Sequence, residues 1–246
     1  MPTKGAVTSY LRASRSHRYS ILFAMPLLLG YEALAAFLTK PGKAELRNGA
    51  DAIFRAAFTA VAGARGPSIF MAAVILLAVG LVARDLRMSG GRLKPALFAA
   101  MLVESSLIAA VFGIVVGLAT VELLGSLHAL SLSPVEKTPW STRLMLSLGA
   151  GLYEELFFRV LLVTALAAGA RIVLRLGSRA AGTLAALVGA LIFSTFHYIG
   201  PFGDAWRLQS FVFRALSGLA FSGLYLLRGF GITAWTHALY DAFLLL

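Results

Sequence analysis

The chain has 246 residues, 59% of them hydrophobic and 13% charged, with a net charge of +11, and its mean hydropathy is +0.83. That composition excludes a water-exposed globular surface and makes lipid the solvent for most of the chain. Its Lys and Arg residues punctuate the ends of apolar runs, which argues against nucleic acid as a partner, and the absence of Cys excludes disulfides, thiolate chemistry and Cys-ligated metal.

From the N-terminus, Lys4, Arg12, Arg15 and Arg18 precede an apolar stretch from Tyr19 to Thr39. The stretch is long enough for a full crossing and lacks a small-residue cleavage pattern, so it reads as a retained helix and not a cleaved signal. A helix needs about 20 apolar residues to cross the bilayer core. On that measure spans are expected at 19–39, 67–84, 95–124, 141–169, 180–200, 207–228 and 231–246. The expected fold is an all-α polytopic membrane bundle of about seven (six to eight) transmembrane helices. Asp51 to Gly63 is apolar but short and contains Arg55, which suits an interfacial or re-entrant helix. Tyr19 and Trp140 suit interface anchors.

Arg84, Arg87, Arg92 and Lys94, then Arg171, Arg175 and Arg179, then Arg228, fall on the same alternate ends as the basic tail. The Lys/Arg bias therefore predicts a cytoplasmic N-terminus, in a plasma (cell inner) membrane. The longest polar linkers are 40–50 and 131–142, and no repeat or soluble domain is visible. One integral membrane domain, 1–246, is expected, with its chemistry-bearing motifs within 141–246.

A charge at the centre of a bilayer costs roughly 2.5–3.5 kcal/mol on insertion scales unless it is paired or wetted, so ionisable residues within spans are the informative positions. They are Glu32, Glu104, Glu154, Glu155, Asp241, Arg159, Arg214, His197 and His237. At about 100° per residue, Glu155 and Arg159 fall within roughly 40° of each other on a helix and can pair. Glu154 lies roughly 140° from Arg159 and is left to face a cavity. This separates a structural Glu from a working one. In Phe193-Ser194-Thr195-Phe196-His197 an aromatic ring sits one turn from an imidazole. In His237-Ala238-Leu239-Tyr240-Asp241 the i, i+4 spacing puts imidazole and carboxylate on one face, where Asp241 can orient the ring or share a ligand with it. Arg214 is expected to pair with Glu104 or Glu32, or to meet a substrate carboxylate, and His17 and His128 are expected in solvated positions.

Glu154, His197, His237 and Asp241 come from three different spans and supply a base and carbonyl-polarising groups for activating a water. The strings EELFFR, FSTFH and HALYD resemble the EExxxR, FxxxH and HxxxN/D signatures of the CAAX-protease and bacteriocin-processing family of intramembrane endopeptidases. The resemblance covers about 150–246, in the family's order. It implies that Glu154 and His197 activate the attacking water, that His237 and residue 241 stabilise the oxyanion, and that Glu155, Arg159 and Phe193 support the site. It also implies a substrate that is a membrane-anchored or lipid-modified protein tail.

The family usually has Asn at the last motif position. Asp241, when ionised, accepts hydrogen bonds and does not donate them. An Asp there fits a neutral carboxylic acid, an orienter of His237, or a ligand in a His/His/carboxylate metal set with His197, His237 and Glu154, so both no cofactor and a divalent metal such as zinc stay open. A proton-coupled transporter or channel using the cluster as a relay is the reading from another class, and an inactive membrane scaffold is a third. Linear counting also places His197 and His237 near opposite ends of their spans, so one of the last helices is expected to be broken, tilted or re-entrant near Gly229-Phe230-Gly231.

Overall fold

The computed structural model describes residues 4–39, 45–90, 92–125, 139–200 and 203–244. Lys40, Lys43, His128 and most of the 131–142 linker lie outside the described residues. Every regular element among the described residues is helical: α1 (Lys4–Ser14), α2 (His17–Leu38), α3 (Gly49–Ala62), α4 (Gly66–Ser89), α5 (Pro95–Leu124), α6 (Trp140–Gly149), π-helical stretches at Ala150–Glu154 and Leu156–Val163, α7 (Thr164–Ile172), α8 (Ser178–Phe196), α9 (Leu208–Arg228) and α10 (Phe230–Phe243). By length and apolarity, His17–Leu38, Gly49–Ser89, Pro95–Leu124, Ser178–Phe196 and Leu208–Arg228 can cross a membrane. The protein is a polytopic helical membrane protein, as its composition requires.

The helices refine the expected spans in three places. The basic tail, expected only as a polar flank, is itself the helix α1. The short segment with Arg55 is α3, which turns at Gly63 (φ 59°) and folds back on α4. The return is so tight that a Cβ at Gly66 would lie 2.3 Å from the Thr59 nitrogen. The last expected span, 231–246, is not a full crossing: α10 has 14 residues, about 21 Å at 1.5 Å per residue, against a core of about 30 Å. Its start is set by Gly229, whose φ of 80° is a conformation that costs residues with a Cβ.

α10 is nevertheless the centre of the bundle. Ala234 and Ala238 belong to a core cluster with Tyr31, Phe70, Met145 and Tyr153. Tyr240 belongs to a second cluster with Phe112 and Phe221, and Ile232 to a third with Tyr19, Phe23 and Met101. Small residues let neighbours reach its backbone. A Cβ at Gly151 would fall 2.3 Å from the Ala234 carbonyl oxygen, and one at Gly231 would fall 2.6 Å from that of Ser20. Around this centre, α4 and α5 turn Leu76, Leu77, Leu107 and Leu118 outward, the surface that acyl chains solvate.

Polar clamps hold the two ends of α2. At its start, Arg18 sits 3.8 Å from Asp85 and its Nη1 donates to the Gly90 carbonyl at 2.5 Å, while Arg15 donates to the carbonyl of Leu226 at 3.1 Å. Nearby, Arg228 donates to both oxygens of Glu104, at 2.5 and 2.7 Å, and Tyr10 of α1 donates to the same carboxylate. Contacts of the N-terminal basic tail with the 84–94 loop and with the end of α9 thus lie at one end of α2. At the other end, Glu32 accepts from Arg47 and Arg55, both at 2.8 Å. The pairing expected for Arg214 is therefore corrected: Glu104 belongs to Arg228 and Glu32 to Arg47 and Arg55, while Arg214 pairs with Asp204 in the loop that precedes α9.

The close contact of Gly151 with α10 gives a direct test. Gly151→Ala should destabilise the protein by about 1–3 kcal/mol, because the added methyl meets backbone. Gly182→Ala, at a helical glycine with nothing within 4 Å of the added Cβ, should be neutral or stabilise by up to about 1 kcal/mol. Thermal unfolding in detergent compares the two.

Candidate active site

The acidic pair lies where the helix that begins as α6 widens. Ala150–Glu154 and Leu156–Val163 are π-helical and flank Glu155; insertions of this kind concentrate at functional sites. Neighbours press on this helix from two sides at residues without a Cβ. At Gly149 an added Cβ would come within 2.5 Å of the Tyr31 ring and 2.9 Å of the Asn48 Cβ, and at Gly151 it would meet α10.

Glu155 is fully buried and is a shared acceptor. Its Oε1 lies 3.1 Å from Arg159 Nη1 and 2.7 Å from His237 Nδ1. The Glu155–Arg159 pair read from the helical spacing is present. The bond to His237 is not readable from spacing, because it joins two helices. Arg159 is buried as well, and rings cover it: its guanidinium carbon lies 4.4 Å from the Phe193 centroid and 5.4 Å from that of Phe221. Its Nη2 donates to the Gly218 carbonyl at 3.3 Å. A planar cation between aromatic faces gains electrostatic attraction that partly replaces lost hydration.

Glu154, one residue earlier, looks elsewhere. Its Oε1 accepts from Asn48 Nδ2 at 2.8 Å, and its Oε2 lies 4.0 Å from His197 Nε2. His197 caps the C-terminus of α8, and its Nδ1 is 2.9 Å from the Phe193 carbonyl oxygen. A carbonyl only accepts, so Nδ1 carries a proton, and when the ring is neutral its Nε2 is an acceptor that faces the carboxylate. Two acceptors 4.0 Å apart cannot bond each other. A donor with two hydrogens, such as a water, satisfies both.

His237 is held on three sides. Glu155 binds Nδ1, the Phe221 ring stacks on it at 4.4 Å and 22°, and Asp241 Oδ2 lies 3.6 Å from Nε2, beyond a hydrogen bond. Of the two carboxylates beside the ring, the one that bonds it is Glu155. Phe193 stands between the imidazoles, 4.9 Å from the His197 ring and 6.3 Å from that of His237. The two histidines that linear counting set at different depths flank one phenylalanine, because α8 ends at His197 and α10 is short and begins at a sharp turn. The structure brings Glu154, His197, His237 and Asp241 around Glu155, Arg159 and Phe193. Sequence reasoning missed Asn48 and Phe221. Asn48 carries no motif, and Phe221 reads as an ordinary apolar residue of α9.

As candidate metal ligands, Glu154, His197, His237 and Asp241 do not converge: among the described residues no three His, Asp or Glu side chains are arranged to hold an ion. His237 Nδ1 is engaged by Glu155, which leaves only its Nε2. The arrangement does not fit a ligand set among the described residues.

Glu155→Gln leaves Arg159 buried without its counter-charge, and breaking a buried pair in this way costs about 3–5 kcal/mol. Adding Arg159→Met should restore part of that loss, because the double variant removes both charges of the pair. Unfolding of the two variants in detergent checks both statements, and a double variant less stable than Glu155→Gln would refute the second.

Comparison with known proteins follows the same ground. No curated protein and no solved structure matches the chain. Residues 136–243 match the family model of Rce1-like type II CAAX prenyl endopeptidases, a region that holds all three motif strings and omits α1 to α5. The C-terminal region of the chain is therefore similar to the Rce1-like type II CAAX prenyl endopeptidases.

Proposed function

We propose that the protein hydrolyses a peptide bond in a membrane-anchored or lipid-modified protein tail, with Glu154 as general base. The observation that carries this reading is the facing pair of Glu154 Oε2 and His197 Nε2, 4.0 Å apart, two acceptors that together can hold one water by its hydrogens. The water's oxygen then attacks the scissile carbonyl carbon, and its proton passes to Glu154. His237, oriented through Nδ1 by Glu155, donates from Nε2 in its doubly protonated form to the oxyanion. As the C–N bond breaks, the proton held by Glu154 is delivered to the leaving nitrogen, which closes the balance without an external reactant.

In this reading Asp241 is not an oxyanion donor. It lies 3.6 Å from His237 Nε2 and its carboxylate favours the proton on that nitrogen, a task an Asn in this position would not perform in the same way. Arg159, Glu155 and Phe193 hold the two imidazoles in register. The chain acts as one membrane unit over 1–246, with its N-terminus on the cytoplasmic side. The gathering of Arg15, Arg18 and Arg228 at one end of the bundle supports that orientation.

The test is cleavage of prenylated and unmodified reporter tails by purified full-length protein in detergent. Glu154→Ala and His197→Ala should each lower kcat by about 10²–10⁴-fold, and a chelator should leave the wild-type rate unchanged. Cleavage that persists in both variants would overturn the site assignment. Loss of wild-type activity on chelation would replace the water-activating pair with metal chemistry.

A further inference from the structure

Asn48 lies in the connection between α2 and α3, outside the matched region 136–243, yet it reaches the centre of the site. It is buried, and all of its polar groups are engaged. Its N–H donates to the Tyr31 hydroxyl at 2.9 Å, and its carbonyl accepts from Ala52 N at 2.9 Å. Its Oδ1 accepts from Ala50 N at 2.9 Å as the N-cap of α3. Because Oδ1 is committed to the cap, the amide has one orientation, and its NH₂ must face Glu154. The bond from Nδ2 to Glu154 Oε1, at 2.8 Å, is the one hydrogen bond to that carboxylate among the described residues.

The support behind Asn48 is rigid. Tyr31 donates onward to Asp51 Oδ2 at 2.8 Å. Asp51 is in turn bound by Arg55 at 2.8 Å and lies 3.4 Å from Arg47, and both arginines bind Glu32 of α2. Gly149 clears the approach, since any side chain there would collide with Asn48 Cβ and the Tyr31 ring.

We infer that Asn48 is a positioning residue for hydrolysis: it fixes Glu154 Oε1, so that Oε2 is the oxygen presented to His197 and to the attacking water. The inference rests on the reading of Glu154 as general base. It adds that the N-terminal half of the chain, beyond the family match, supplies part of the site. A carboxylate free to rotate presents either oxygen at varying distance, and displacements of about 1 Å cost on the order of 10²-fold in rate.

Asn48→Ser and Asn48→Asp test it in the full-length protein. Both keep an oxygen that can cap α3, and both lack the amide N–H that reaches Glu154 Oε1. Each should lower kcat by about 10- to 100-fold while KM stays within about twofold, with the larger loss for Asn48→Asp, which sets two carboxylates face to face. The unfolding temperature of Asn48→Ser should stay close to that of the wild type. In a Glu154→Gln background, adding Asn48→Ser should not change the affinity for an uncleaved prenylated reporter. A kcat for Asn48→Ser within threefold of wild type, or a loss that appears equally in stability and in reporter affinity, overturns the inference. If Asn48→Ser fails to fold, the near-isosteric Asn48→Asp carries the same test. Activity retained by Glu154→Ala would instead remove the general-base reading, a result distinct from any obtained at Asn48 alone.

Discussion

Two adjacent carboxylates inside an apolar bundle cannot both be left to the solvent, and the rest of the architecture follows from how they are accommodated. Burying an unpaired charge costs several kcal/mol even after relaxation. Glu155 meets this with a cation on its own helix and an imidazole from α10, 3.1 and 2.7 Å away. Glu154 has an amide from the α2–α3 connection and an imidazole facing it across 4.0 Å. Helices that supply these groups must pack close to the widened helix, and the missing side chains at Gly149 and Gly151 make that approach possible.

The division of labour between the two acids is spatial. Glu155 has no exposed surface and is bound by two neighbours, so its role is to fix Arg159 and His237. Glu154 has one oxygen held and the other directed at a ring that cannot donate to it. His197 and Asp241 are the more open members of the cluster, with side chains 25% and 30% exposed. Phe193 contributes at three points: its ring faces Arg159, its edge separates the histidines, and its carbonyl sets the His197 tautomer.

Outside the site, the polar clamps at the two ends of α2 do different work. The group formed by Glu104, Arg228, Tyr10 and Ser14 ties α1, α5 and α9 together and makes no contact with Glu154 or Glu155. The group formed by Glu32, Arg47, Asp51 and Arg55 lies behind Tyr31 and Asn48 and therefore leads directly to Glu154. Tyr153, next to Glu154 in sequence, joins the same network by donating to Glu32 at 3.1 Å. Ion pairs partly screened by the ends of the bundle thus stiffen the support of a residue deeper inside it.

The sequence by itself determined the solvent, the helical class, the pairing of Glu155 with Arg159 and the three strings that hold the candidate residues. These are properties of composition, of about 20-residue apolar runs and of i, i+4 spacing, all local along the chain. Only the tertiary structure decided that Glu155 and not Asp241 is the group bonded to His237, that Arg214 pairs with Asp204, and that Asn48 reaches Glu154 across 106 positions of chain. None of these contacts has a period or a motif, because they join residues of separate helices and of the loops between them. The length of α10 was equally hidden, since 231–246 is apolar to its end and hydropathy does not register the turn at Gly229 that sets His237 beside Phe193.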